Sequence, residues 1–172
     1  MAVAANTQQY LTFTLDEELY AVDVVKVREV LEVTPLTKIP RMPAFMQGVI
    51  NIRGSVVPVL DLRLKFGMEQ AERTVDTCII VMDIQAEDKT VTIGSLADSV
   101  QEVIDLDEEN IEPPPRLGTK VDTDFIRGMG KRDDQFIIIL DIDRVFNSSE
   151  IAVAEDANAQ TSTHDAKSSD EV

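Results

Sequence analysis

Few residues in this sequence are equipped for covalent chemistry. The one histidine, His164, lies in a C-terminal stretch rich in Ser, Ala, Asp and Glu, so no Ser–His or Cys–His pair can be set on a scaffold. The one cysteine, Cys78, opens the apolar run "CIIVMDI", where a small inert core residue is expected. "GMG" (Gly128–Gly130) lacks the rest of a phosphate-binding loop. "DLDEEN" (Asp105–Asn110) lacks the central glycine and terminal glutamate of a calcium loop and reads as a solvated turn. Carboxylates are abundant, but no pair stands out from the acidic background. No cofactor or metal is expected. An enzyme or small-ligand binder assembled from distant residues stays as the alternative.

Recognition chemistry is better represented. Arg53 sits beside Gly54 in the apolar hairpin "GVINIRGSVVPVLDL", and an arginine there needs a carboxylate or a partner's acceptor. Glu29, between Val27 and Val30 in "VREVL", is the candidate. A pair between the two would either tie two strands together or orient the guanidinium for a partner, and the sequence leaves both open.

The elements that must position these groups read mostly as strands. "YLTFTL" (Tyr10–Leu15) alternates, "DEE" turns, and "LYAVDVV" continues extended. "CIIVMDI" (Cys78–Ile84) and "FIIILDI" (Phe136–Ile142) are apolar on both faces and read as interior strands. Asp61 and Asp141 stand where N-caps would, each before about one helical turn ending in Phe. The unit is also repeated. Phe45, Gly48, Asp61 and Phe66 match Phe125, Gly128, Asp141 and Phe146 at a separation of 80 residues. "VREVL" (Val27–Leu31) matches "VQEVI" (Val100–Ile104) at 73, which places an insertion near "PPPRLGTKVDTD". Repeats at about 10–66 and 78–146 predict a mainly β fold of two small packed barrels with few short helices.

Composition sets the limits. In 172 residues, 44% hydrophobic content supports a core, and no apolar run is long enough to span a membrane. A net charge of −16 argues against general binding to nucleic acid or anionic lipid. Lys38, Arg41, Arg53, Arg63 and Lys65 nevertheless cluster against Asp61 alone, as a solvated face or as a surface for an acidic partner. The start lacks the pattern of a secretory signal, and one cysteine permits no internal disulfide, so a cytoplasmic setting is expected. Residues 1–8 read as loose, 9–146 as the folded unit and 147–172 as a disordered acidic tail.

"QYLTFTLDEELYAVDVVKVREVLE" followed by "PAFMQGVINIRGSVVPVLDLRLKFG" resembles the CheW family of chemotaxis coupling proteins. The "NIRG…VPVLDLR" core (Asn51–Arg63) is the most specific part, and "GSLADSVQEVIDL" with "IEPPP" is similar to the family's second lobe. The resemblance covers roughly Gln9 to Phe146. It implies two five-stranded SH3-like β-barrel lobes, intertwined in sequence, with an apolar groove between them and no catalysis. It also implies a bridge between the cytoplasmic tip of chemoreceptors and the regulatory domain of a CheA-type histidine kinase, monomeric alone and assembled into rings or arrays in complex. It assigns Val27, Glu29, Arg53, Val100 and Val103 to the receptor groove and Leu117 to the contact with a neighbouring ring component. The long acidic tail departs from the family pattern. An adaptor of the same fold in another chemosensory pathway, for surface motility or a second messenger, is the alternative reading.

Overall fold

The computed structural model describes residues 7–38, 43, 45–86, 88–113, 123–132, 134–146, 150–152, 154 and 156. Among the described residues there are eleven strands. They are β1 (Thr7–Leu15), β2 (Glu18–Asp23), β3 (Val27–Glu32), β4 (Met46–Ile52), β5 (Ser55–Asp61), β6 (Cys78–Ala86), β7 (Lys89–Ala97), β8 (Ser99–Asp107), β9 (Ile111–Glu112), β10 (Ile126–Arg132) and β11 (Gln135–Leu140). One-turn helices α1 (Leu62–Lys65) and α2 (Ile142–Val145) close the two repeats.

The repeats exchange their first hairpins. One sheet has the order β8-β1-β2-β11-β10-β9, and the other β3-β6-β7-β5-β4. Each sheet therefore takes its opening hairpin from one repeat and its remaining strands from the other. The registers repeat too. β2 runs parallel to β11 with Ala21 opposite Ile139, and β7 runs parallel to β5 with Gly94 opposite Val59. Bulges recur at Gly48 and Gly128, and again where β3 meets β6 and β8 meets β1. Chance likeness between apolar strands does not reproduce bulges at matched positions. The second sheet has the five expected strands. The first has six because Ile111–Glu112 pairs with β10, where the other repeat makes only the single bridge Thr37–Val49. The edge strands of neither sheet pair with each other among the described residues.

Continuous apolar runs follow from burial on both faces. A shared core between the sheets contains Leu11, Phe13, Tyr20, Ile80, Met82, Phe66 and Phe146. Each sheet has a smaller core on its other face, around Ile137 and Ile139 in one and Val57 and Val59 in the other. Gly48 has φ +147, and a Cβ there would stand 2.6 Å from the Thr37 carbonyl oxygen, so the bulge requires glycine.

Asp61 caps α1 by accepting from the Arg63 N–H at 2.9 Å, whereas Asp141 makes no such bond at α2. Burial pushes the Asp61 carboxyl up, opposed by the Arg63 and Leu64 N–H groups. The terminal helices are latched from matched positions, Arg63 and Asp143, with reversed polarity and to partners one residue out of register. Arg63 on α1 meets Asp98 at 2.8 Å, and Asp143 on α2 meets Lys26 at 2.7 Å.

The folded unit runs past Phe146. Residues 150–152, 154 and 156 are helical, and Ile151 and Ala154 pack into the shared core. This corrects the expectation of disorder from residue 147 onward, because Ile151 and Ala154 supply an apolar face that composition averaged away. Glu150 pairs with Lys65 at 2.6 Å, and both side chains are about nine-tenths buried. The Lys65 ammonium also lies 5.2 Å from the Phe45 ring and 5.6 Å from the Phe125 ring, the two repeat mates. Glu150→Ala leaves that ammonium without its carboxylate and is expected to cost about 2–3 kcal/mol in urea unfolding. A loss near zero would show the segment to be dispensable.

Ser95 on β7 is fully buried, and its Oγ has no hydrogen-bond partner among the described residues. Ser95→Ala removes an unsatisfied polar atom and is expected to leave stability unchanged or raise it by up to about 1 kcal/mol. A clear fall in melting temperature would mean that the hydroxyl has a partner.

Candidate functional site

The β4–β5 hairpin turns in two residues, Arg53 and Gly54, both in the left-handed region at φ 51 and 89. Such a turn favours Asn or Gly at its first position, so arginine is an unusual choice. Asn51 supports the turn by accepting from the Gly54 N–H at 2.9 Å. The strained position aims the side chain back over the sheet. Arg53 Nη1 donates to Glu29 Oε2 at 2.7 Å and Nη2 to Oε1 at 3.3 Å, a two-pronged pair. The Arg53 side chain is 79% exposed, while Glu29 is 23% exposed. The half-buried partner holds the exposed one, which leaves much of the guanidinium facing solvent.

The pair borders a pocket of about 250 Å³ floored by Val57 and Val81 of the smaller core. Arg28, a second cation at its rim, reaches Asp83 at 3.7 Å and Thr92 at 3.4 Å.

The valines lie elsewhere. Residues directly opposite across a ladder share a face. Glu29 is opposite Val81, whereas Val27 is opposite Met82 and Val30 opposite Ile80, both in the shared core. On β8, Val100 is opposite Phe13 and Val103 opposite Leu11, also in the shared core. Val27 and Val100 are partly buried against that core, and Val103 is 47% exposed. β3 thus carries the charged pair on one face and the valines on the other, and both β3 and β8 are edge strands. The five expected residues form an apolar pair of edges and a separate charged corner, joined through β3. Leu117 lies outside the described residues.

Sequence reasoning did not assign the exposed valine beside Glu29 to the site. Val30, at 40% exposure, is the repeat mate of Val103. The separation of 73 residues that matched "VREVL" to "VQEVI" could have identified it. The basic cluster is resolved as well. Arg53, Arg63 and Lys65 are each paired within the chain, and Lys38 is exposed, which leaves no broad cationic face from these four. Arg41 lies outside the described residues. No group of three or more metal-ligating side chains occurs among the described residues.

The family model for the CheW-like domain matches residues 9–150. The "Chemotaxis protein CheW" of Klebsiella aerogenes is 32% identical over 148 residues, covering 86% of this chain and 87% of that protein. The protein of the same name from Thermotoga maritima is 32% identical over 158 residues, covering 90% and 97%. Among solved structures, the scaffolding protein TtCheW from Thermoanaerobacter tengcongensis superimposes with a TM-score of 0.74 at 39% identity, covering 83% of this chain and 90% of that one.

Proposed function

The chain belongs to the CheW-like family, and from that premise we propose that it is a non-catalytic chemotaxis adaptor coupling chemoreceptors to a CheA-type histidine kinase. The observation that carries the reading is Arg53. A guanidinium held by Glu29 on a strained turn is suited to meeting an acceptor on a partner without first paying for order. The valines of β3 and β8 supply apolar area on the other face of β3. A helix laid on such a surface buries its apolar face and offers its flank to the arginine.

The receptor's helical hairpin docks at Val27, Val100 and Val103 with Arg53 and Glu29 as polar anchors. The kinase's regulatory domain, of the same fold, joins through a contact that the family resemblance assigns to Leu117. The adaptor is monomeric alone and works in the cytoplasm, drawn to membrane arrays through the receptor. No helix among the described residues is long and apolar enough to cross a membrane. The test is co-sedimentation of the full chain with receptor-bearing membranes and with the kinase. Recovery with each supports the reading, and failure with both overturns the partner assignment.

A further inference from the structure

The pocket beside Arg53 lies on the face of β3 that the valines do not use. The bulge between Val27 and Glu29 turns two consecutive residues, Arg28 and Glu29, onto that face, and both line the pocket. Two arginines therefore share one opening in a chain of net charge −16. Their carboxylates sit deeper. The Arg53 and Arg28 side chains are 79% and 57% exposed, against 23% for Glu29 and 35% for Asp83. A group arriving from solvent meets guanidinium first. Arg28 is also loosely held, since its contacts to Asp83 at 3.7 Å and Thr92 at 3.4 Å are long for hydrogen bonds.

The other repeat shows that the fold does not require these cations. β8 is bulged against β1 at the matched place, and Gln101 and Glu102 line a pocket of about 320 Å³ with Gln135 and Ile137, the mates of Ser55 and Val57. Gln101 stands where the first repeat has Arg28, and the sequence has Asp133 80 residues after Arg53. The first pocket measures about 250 Å³, below the roughly 300–1,000 Å³ of small-molecule sites, and suits a single side chain. Val57 and Val81, both 2% exposed, give it an apolar floor, and Ser55 and Thr92 add hydroxyls to its wall. From this we propose that the pocket receives a glutamate side chain of a protein partner, its methylenes on the two valines and its carboxylate between Arg28 and Arg53. The inference rests on the adaptor reading and adds to it the chemistry of the acceptor and a second residue, Arg28, that holds it.

The test titrates the full chain by calorimetry with the cytoplasmic helical hairpin of the cognate chemoreceptor and, separately, with the kinase's regulatory domain, at low and high salt. Arg28→Gln, which copies the other repeat, is expected to weaken binding to one of the two about fivefold or more and to reduce its salt dependence. Arg28→Lys keeps the charge without the fork and is expected to lose less. Exposed glutamates of that partner are then changed to glutamine one at a time, and one of these losses is expected to disappear in the Arg28→Gln background. Lys89→Gln, at an exposed cation on β7, makes the same change in net charge and is expected to bind as wild type. Circular dichroism checks each fold. Wild-type binding of both partners by Arg28→Gln, or losses that multiply for every glutamate, overturns the proposal and leaves the adaptor reading standing. Wild-type binding of both partners by Arg28→Gln, together with saturable uptake of inorganic phosphate that this variant loses, gives the pocket to a free anion and likewise overturns it. Absence of binding of either partner by the wild-type chain overturns both.

Discussion

Arg53→Glu is expected to reduce receptor-dependent kinase stimulation at least about tenfold while leaving the β fold intact. The substitution places a carboxylate beside Glu29 at a site where they now meet as a 2.7 Å ion pair. It also reverses the charge offered to the partner. The fold should survive because the Arg53 side chain is mostly exposed and fills none of the three cores. An exposed pair of this kind contributes at most about 1 kcal/mol to stability. Arg53→Asn separates the effects, since asparagine suits the left-handed turn and removes the guanidinium. It is expected to be at least as stable as wild type and still deficient in coupling. Unfolding of Arg53→Glu, read as lost β circular dichroism, would make the pair structural and remove the main support for the site.

Phe66→Ala is expected to give the largest loss of stability, about 3–5 kcal/mol in chemical unfolding. Phe66 is buried between Tyr20, at 6.2 Å between ring centres, and Phe125, at 5.8 Å. Tyr20 on β2 and Phe125 just before β10 both belong with the six-stranded sheet, whereas Phe66 follows β5 of the other, so one ring joins both sheets. Burial also pushes the Tyr20 phenol up, as expected for a hydroxyl withdrawn from water. Removing the Phe66 ring opens a cavity where the repeats meet. A loss below about 1 kcal/mol would mean that the two sheets are held together elsewhere.

Much of this was legible in the sequence for physical reasons. The continuous run around Ile137–Ile139 announced burial on both faces, and the structure places a core on each. The match of Gly48 to Gly128 reflected a bulge that no side chain tolerates in either copy. The Arg53–Glu29 pair was legible because a lone charge in an apolar strand needs a partner, and few were on offer. Intertwined lobes were expected, but which hairpin crosses to which sheet was not legible. Pairing of β1 with β8 is set by tertiary packing, and internal similarity does not say which copy of a strand a hairpin joins. Nor did the sequence separate the face of Glu29 from that of Val27. The bulge after Val27 shifts the alternation by one residue, and period-two reasoning does not register it. The packed segment from Glu150 was hidden by its polar neighbours.

Kinase autophosphorylation in a reconstitution of receptor-bearing membranes, the cognate CheA-type kinase and this chain tests the central claim most directly. Adaptor function predicts that adding the chain raises kinase activity and makes it respond to receptor ligand, and that Arg53→Glu abolishes the response. Kinase activity indifferent to the chain, with both partners present and competent, would contradict it and turn attention to another chemosensory pathway.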